Sequence, residues 1–427
     1  LKQLFKLLIT KLFVRQTNKI LARYKPKIVV VAGSIGKTST KIAIAKILSG
    51  KYRVQYEEGN YNVPISVPFV VTGQRLPNLT SISGWIRAYH KGRKMLKNGF
   101  NYDVVVLEYS IDHIGEMDEF RHFPVANYVV LTAIAPEHME NLVDIETVAK
   151  EELKVTNYAN TVIYNLNTVN KKFIEKYGQP NAAYESYGES KSSTYVQNKI
   201  RSGSNFTLEL SHNNIKIAST STKMIARHSL DALSAATIVA NKFGLTENEI
   251  NFALQAFSNP SGRMNILEGK QNSLIIDDSY NSSPEAVIAA LEALYEIKGK
   301  QKIAILGNMN ELGDFSEEAH RAVGHYCDPK KLDLLITIGP DANRYLAEAA
   351  KSNGCQVITT KSPVEAGTTA LKQIKPNSIF LIKGSQNKVF SEEAIKLLLS
   401  NPKDSQKLVR QSNYWMNIKR NQFSDIS

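Results

Sequence analysis

The chain has 427 residues, 43% of them hydrophobic, with a formal net charge of +13. That length supports two or three domains with their own cores, and the ordinary apolar content excludes a disordered or fibrous chain. Two cysteines, Cys327 and Cys355, exclude a disulfide framework or zinc cluster and fit a reducing, cytoplasmic compartment. The positive excess favours polyanionic partners without choosing among nucleotide, anionic lipid and nucleic acid.

Residues 1–27 hold eight Lys or Arg and no acidic residue. Leu1, Leu4, Phe5, Leu8 and Leu12 fall near helical spacing, which predicts a basic helix. Charges interrupt any secretory core, and no apolar run is long enough to span a bilayer. Two readings fit. Residues 1–25 lie as a peripheral contact on the inner face of a membrane, or the apolar stripe packs on the protein body.

The apolar run Ile28-Val29-Val30-Val31 reads as a strand, followed by the turn AGSIGKTST (32–40) and a helix over 37–48 stopped at Gly50. Further strands are expected at 104–107, 128–132 and 161–164. Residues 190–222 alternate like antiparallel strands, and a helix follows near 231–243. From Pro260, strands at 274–277, 302–306, 333–338, 356–359 and 378–382 alternate with helices at 284–296, 316–326, 342–352, 363–373 and 391–399. That order predicts an α/β fold: a P-loop-containing central domain with a parallel sheet, then a doubly wound, Rossmann-like domain. The expected divisions are a basic helix over 1–26, a central domain over 27–259, the second domain over 260–403 and a loosely held basic tail over 404–427.

The stretch from Gly33 to Ser39 has the context of a phosphate cradle: a strand, a glycine turn, then a helix. Amides of Gly33, Ser34, Ile35, Gly36, Lys37, Thr38 and Ser39 can meet phosphate oxygens. The Lys37 ammonium would offset phosphate charge, and the Thr38 hydroxyl would face a magnesium ion. Glu108 closes an apolar strand whose end points into the same mouth, so its carboxylate is either a magnesium ligand or an exposed strand end. His138 follows another strand end, as a ligand or as a satisfied loop residue. His113 and Glu116 read as a surface turn. In the second domain three polar turns stand at one sheet edge: Asp277, Asp278, Tyr280 and Asn281; Gly307, Asn308 and Glu311; Lys383, Gly384 and Ser385. Each alone is either a capped turn or part of a binding rim; together they favour a site.

These residues resemble the Mur ligases, the ATP-dependent amide-forming enzymes of peptidoglycan assembly. The short form Gly-x-x-Gly-Lys-Thr is that family's phosphate loop. NYNVPISVP (60–68), LEYSIDHIGEM (107–117), DDSYNSSP (277–284), GNMNELGDFSEEAH (307–320, with a His downstream of the turn) and LIKGSQ (381–386) are similar to its other motifs. The Asp-Asp-x-Tyr-Asn and Met-x-Glu-Leu-Gly turns are those of members that add D-alanyl-D-alanine. The resemblance covers roughly residues 27 to 400.

The resemblance implies that ATP phosphorylates a substrate carboxylate and that an amine then displaces phosphate. Thr38 and Glu108 would hold one Mg²⁺ and His138 a second, with Lys37 on the phosphates. Arg263 would reach the nucleotide, and Asp277, Tyr280 and Asn281 would line its adenosine. Asp231 stands where the family has an adenine-holding Asn. Asn60, Asn62, Asn308, Glu311, Lys383 and Ser385 would serve the substrates: a D-Ala-D-Ala-like dipeptide and a UDP- or lipid-linked muropeptide-like acid. The family carries a carbamylated lysine near the second metal. Counting back from the strand at 161–164 places Lys150 there, and counting forward from His138 places Glu152. Only one can serve, and Lys150 is the reading taken. Val63 and Ser66 depart from the family's Asn and Gly. The family's N-terminal UDP-sugar-binding domain has no expected counterpart, so the acid is the least defined substrate. Other readings are a poly-glutamate or cyanophycin type ligase and an inactive nucleotide-binding scaffold. Nucleic acid is not expected as a partner, for no recognition motif is present.

Overall fold

The computed structural model describes residues 2–426 apart from Asn60, Leu79, Glu137, His138, Gly203, Ser204 and Asp425, and the side chains of 2–7, Met139 and Ser202 also lie outside the described set. The chain forms two compact units. The first comprises Leu1–Ser202, Phe206–Lys223 and Leu230–Phe257; the second is chiefly Ser258–Ser427.

In the first unit the helices are α1 (Lys2–Tyr24), α2 (Lys37–Leu48), α3 (Val67–Thr72), α4 (Ile82–Asn98), α5 (Met139–Leu142), α6 (Ile145–Leu153), α7 (Lys171–Tyr177), α8 (Ser229–Lys242) and α9 (Glu247–Ala256). The strands are β1 (Lys27–Ala32), β2 (Val54–Gln55), β3 (Val104–Glu108), β4 (Ala126–Leu131), β5 (Ala159–Asn165), β6 (Ala183–Gly188), β7 (Tyr195–Ser202), β8 (Asn205–His212) and β9 (Ile215–Ser221). They make one nine-stranded sheet in the order β2-β3-β1-β4-β5-β6-β7-β8-β9. Strand β1 pairs in parallel with both β3 and β4, so successive connections leave it in opposite directions. That reversal opens a crevice at the carboxyl ends of the strands, the place where such sheets bind ligands. Val29, Val31, Val105 and Val130 are wholly buried or nearly so, as expected of β-branched runs covered on both faces.

Helix α1 packs on the body rather than standing clear. Its inward residues are Phe13, Val14, Ile20 and Leu21, each contributing about 1.5–3 kcal/mol by burial. This face is not the expected stripe: Leu8 and Leu12 remain exposed, and the side chains of Leu1, Leu4 and Phe5 fall outside the described residues. Among the described residues no helix is long and apolar enough to cross a membrane.

The second unit holds β10 (Asn265–Gly269), β11 (Ser273–Asp278), β12 (Gln301–Gly307), β13 (Leu334–Ile338), β14 (Val357–Thr360) and β15 (Ser378–Lys383). Its main helices are α10 (Pro284–Glu296), α11 (Ser316–Tyr326), α12 (Ala347–Ser352), α13 (Pro363–Gln373), α14 (Glu392–Leu398) and α15 (Asn413–Gln422). The sheet order is β10-β11-β15-β12-β13-β14, parallel except for the edge pair β10–β11. Strand β15 thus sits between β11 and β12, and the carboxyl ends of all three meet: Asp278 pairs with Lys383, and Lys383 with Leu306.

The segment after Pro402 corrects the expectation of a loose tail. It carries α15, and Lys419 is fully buried against Glu392 and Glu393 at 2.8 and 2.6 Å. Polar composition misled here because Arg410 and Lys419 are taken up by carboxylates of α14.

Candidate active site

The phosphate loop follows from two left-handed glycines. Gly33 has φ +116°, and a Cβ there would lie 2.7 Å from Thr132 Oγ1 and 2.8 Å from the Ala133 carbonyl. Gly36, at φ +85°, precedes α2, whose N-terminus has no side-chain cap. Ser34 anchors the loop to the end of β4: its amide donates to Ala133 O at 2.9 Å and its hydroxyl accepts from Ala135 N at 3.1 Å. The Lys37 ammonium is buried and donates to Ser34 O at 3.0 Å, folded back over the loop. Ile35 and Ser39 are half-buried on the rim.

Glu108 ends β3 beside this loop, as the pairing of Val31 with Glu108 requires. Its Oε1 accepts from Thr38 Oγ1 at 3.1 Å, and its Oε2 lies 3.0 Å from Lys41 Nζ. Lys41 also donates to Gly59 O at 3.0 Å, joining α2, the metal-type carboxylate and the loop after β2. Lys41 was not singled out in the sequence, although it stands one helical turn beyond Lys37 on the same face. Asn62 enters this corner through its carbonyl, which accepts from Ser110 N at 3.1 Å. Ser66, in place of the family's glycine, closes its own turn through Val63, accepting from the amide at 3.1 Å and donating to the carbonyl at 2.7 Å.

Glu152 is buried, and its Oε2 accepts from the Gly33 amide at 3.0 Å. Lys150 lies on the exposed side of α6. Of the two positions weighed for the carboxylate at the second metal, only Glu152 reaches the phosphate loop. The preference for Lys150 rested on a count across a segment whose loop length the sequence does not define. Asn60 and His138 lie outside the described residues. His113 and Glu116 form a surface turn in which Glu116 Oε2 accepts from the Asp112 and His113 amides at 2.6 and 3.0 Å.

Asp231, on α8, is already engaged. Its Oδ1 takes Lys199 Nζ at 2.7 Å and Gln197 Nε2 at 3.0 Å, and the Lys199 side chain is 3% exposed. An Asp is therefore held here by a lysine on β7, which no local pattern announced.

In the second unit the three polar turns do meet at one edge. Buried Asp277 accepts from Gly262 N at 2.9 Å and from the amide and hydroxyl of Ser279 at 3.2 and 2.5 Å. Burial pushes its carboxyl up to about 6 despite these donors. The Arg263 guanidinium lies 4.1 Å from the centroid of the Tyr280 ring. Lys383 is buried and paired with Asp278 at 2.6 Å, and it also donates to Asn281 O at 2.9 Å. Ser385 Oγ accepts from Asn310 N at 2.9 Å, and Asn308 Oδ1 accepts from Ala342 N at 2.9 Å. Ser385 thus ties its turn to that of Asn310, while Asn308 ties its turn to the segment after β13. Asn281 and Glu311 are exposed on the rim, Glu311 with φ +66°. His320, the histidine downstream of the Met-x-Glu-Leu-Gly turn, holds the Met309 amide on its Nε2 at 3.0 Å. Burial pushes its imidazole below the ordinary value, which keeps that nitrogen an acceptor.

The first unit's donor set suits a nucleoside triphosphate with a hard divalent cation. Gly33 lets the loop pack against Thr132 and Ala133, and the left-handed Gly36 leads into the uncapped start of α2, where amides can meet phosphate. Thr38 and Glu108 offer two oxygens, and phosphate oxygens and water complete such a site. Among the described residues no three His, Cys, Asp or Glu groups converge on a metal.

A strand–glycine turn–helix cradle at a sheet reversal, followed by a doubly wound unit, defines a P-loop nucleotide-binding protein. The chain belongs to the Mur ligase family: the Mur ligase middle domain matches residues 31–240, and the Mur ligase glutamate ligase domain matches 262–386. Its relatives include the UDP-N-acetylmuramoyl-tripeptide–D-alanyl-D-alanine ligases of Bacillus subtilis and Haemophilus influenzae. The first is 24% identical over 88% of this chain and 76% of its own length. The second is 27% identical over 75% of this chain and 65% of its own. In fold the chain is similar to MurF from Acinetobacter baumannii, with TM-score 0.74 and 19% identity over 91% of this chain and 79% of that one. It is likewise similar to the MurF ligase from Thermotoga maritima in complex with ADP, with TM-score 0.74 and 21% identity over 91% and 83%.

Proposed function

We propose that this chain is an ATP-dependent amide ligase of peptidoglycan precursor synthesis, working in the cytoplasm. It joins the amine of D-alanyl-D-alanine to the carboxylate of a UDP- or lipid-linked muramoyl tripeptide. The observation that carries the reading is the Thr38–Glu108 pair at 3.1 Å beside the uncapped start of α2. The names of the relatives supply the substrates. A carboxylate oxygen of the acid attacks the γ-phosphorus and ADP leaves. The amine then attacks the acyl carbon, and phosphate departs with the carbonyl restored. Lys37 and the loop amides bind the phosphates and offset charge as it moves to the bridging oxygen. Thr38 and Glu108 would hold Mg²⁺, which supplies Lewis-acid screening of the phosphates. Asp277, Tyr280, Asn281 and Arg263 are assigned to the nucleotide, and Lys383 and Ser385 to the dipeptide.

Glu152 is proposed as the built-in carboxylate for the second metal, so no carbamylated lysine is required. Residues 1–25 are proposed to contribute peripheral contact with a membrane. The test of the ligase reading is phosphate release from ATP with D-Ala-D-Ala and the tripeptide acid, with the product weighed by mass spectrometry. The expected product carries the mass of both substrates less one water, and Glu108→Gln abolishes it. Nucleotide binding without any such product would overturn the reading.

A further inference from the structure

The positive charge of the chain is concentrated. Segments 1–27 and 59–102 hold fourteen Lys and Arg and no Asp or Glu, against +13 for the whole, so all other residues together carry a net charge of −1. In the first unit these segments meet, for α1 and α4 lie side by side and run the same way. Phe13 and Trp85 have ring centroids 5.6 Å apart, Gln16 Nε2 donates to Tyr89 O at 2.9 Å, and the Tyr24 hydroxyl donates to Leu96 O at 3.2 Å. Gly92 permits the close approach, since a Cβ there would collide with the Gln16 amide.

This packing turns Phe13, Ile20, Trp85 and Ala88 inward and leaves cations outside. Lys11, Arg15, Lys19 and Arg23 on α1 are exposed, as are Arg87, Lys91, Arg93, Lys94 and Lys97 on α4. At the starting end of the same helix pair, aliphatic side chains stand in water: Leu8 is 59% exposed, Leu12 44%, Ile82 70% and Ile86 53%.

We propose that the α1–α4 face is a docking surface for an anionic lipid bilayer. The cations pair with phosphate headgroups, and Leu8, Leu12, Ile82 and Ile86 enter the interfacial layer. Charge complementarity selects an anionic occupant, and the exposed aliphatics select a bilayer over nucleic acid, which would leave them in water. The surface extends beyond residues 1–25 to a second helix. It does not depend on the ligase reading, because binding is measured without nucleotide or substrates.

The test is co-sedimentation of the full chain with phosphatidylcholine vesicles and with vesicles also containing phosphatidylglycerol. Binding is expected only to the anionic vesicles and weakens as salt rises. Replacing Lys91, Lys94 and Lys97 together by Gln lowers the partition coefficient on the order of a hundredfold, at roughly fivefold per cation. Replacing Ile82 and Ile86 by Ser weakens binding while leaving the salt dependence in place. Circular dichroism identical to wild type shows that both variants fold, and the salt series on the unaltered chain stands without them. Equal partition into neutral vesicles, no loss in the triple variant, or duplex DNA bound in preference to anionic vesicles would each overturn the proposal.

Discussion

Lys41 Nζ lies 3.0 Å from Glu108 Oε2, with both side chains only 2% exposed. The carboxylate proposed for the metal therefore faces a lysine of the phosphate-loop helix in a buried site. Removing Lys41 takes a close positive charge away from a buried carboxylate. Lys41→Met is expected to lower stability in urea unfolding by up to about 3–5 kcal/mol, because the desolvated carboxylate loses one close counter-charge. Mg²⁺ with ATP should recover more stability in this variant than in wild type, since the cation replaces the missing positive charge. A variant as stable as wild type, with no added response to Mg²⁺, would show that Glu108 has other adequate support.

Glu152 and Lys150 make opposite predictions. Glu152→Ala is expected to lower turnover by about 10–100-fold, the usual scale for losing a carboxylate that supports a metal site. Glu152→Gln retains an acceptor for the Gly33 amide, so a charge requirement appears as lost Mg²⁺ affinity with the loop intact. Lys150→Ala, on the exposed side of its helix, should leave turnover nearly unchanged, and bicarbonate should not stimulate the wild type. An inactive Lys150→Ala enzyme together with bicarbonate stimulation would restore the carbamate reading.

Arg410 fixes the turn that bears Tyr280. It pairs with Glu392 through Nε at 2.8 Å and Nη2 at 2.6 Å, while its Nη groups donate to the Ser279 and Tyr280 carbonyls at 2.6 and 2.9 Å. Burial alone would raise the neighbouring Glu393 carboxyl, but hydrogen bonds from Lys396 and Lys419 outweigh it and hold it below the ordinary value. Arg410→Ala is expected to destabilise the chain by about 3–5 kcal/mol and raise the KM for ATP. Arg410→Lys should restore little, because a single ammonium cannot span the carboxylate and two carbonyls. Full rescue by lysine would reduce the role to charge alone.

What could be read in advance was local. The cradle from Gly33 to Thr38 sits in six consecutive residues, and Glu108 is marked by ending an apolar strand. The strand-helix alternation after Pro260 likewise needs only neighbours in sequence. The supporting charges were not legible, because their partners are distant along the chain. Lys199 meets Asp231 across 32 residues, and Arg410 reaches Tyr280 across 130. Burial also distinguishes Lys150 from Glu152, two positions apart on one helix, and spacing alone cannot supply it. The C-terminal segment looked solvated for the same reason, since its composition is polar and its pairing is long-range.

Asp277 predicts a pH dependence of unusual sign. Its carboxyl sits at about 6 in the folded protein against 3.8 for an ordinary aspartate. The folded chain therefore takes up this proton before the unfolded chain does as pH falls. Between those values folding binds a proton, and the contribution of Asp277 to stability grows on acidification; it is lost as pH rises through about 6. The gap amounts to about 3 kcal/mol. Most carboxylates act oppositely, so the effect appears in the difference between wild type and Asp277→Asn. That difference should shift in favour of wild type from pH 7 to pH 4 and then level off. Activity should move the other way, for the ionised carboxylate accepts from Gly262 and Ser279 together. Protonation turns one of those acceptors into a donor and loosens the turn beneath Tyr280, so the KM for ATP should rise below pH 6 in wild type. A stability difference that is flat across this range would place the Asp277 carboxyl at its ordinary value and remove both effects.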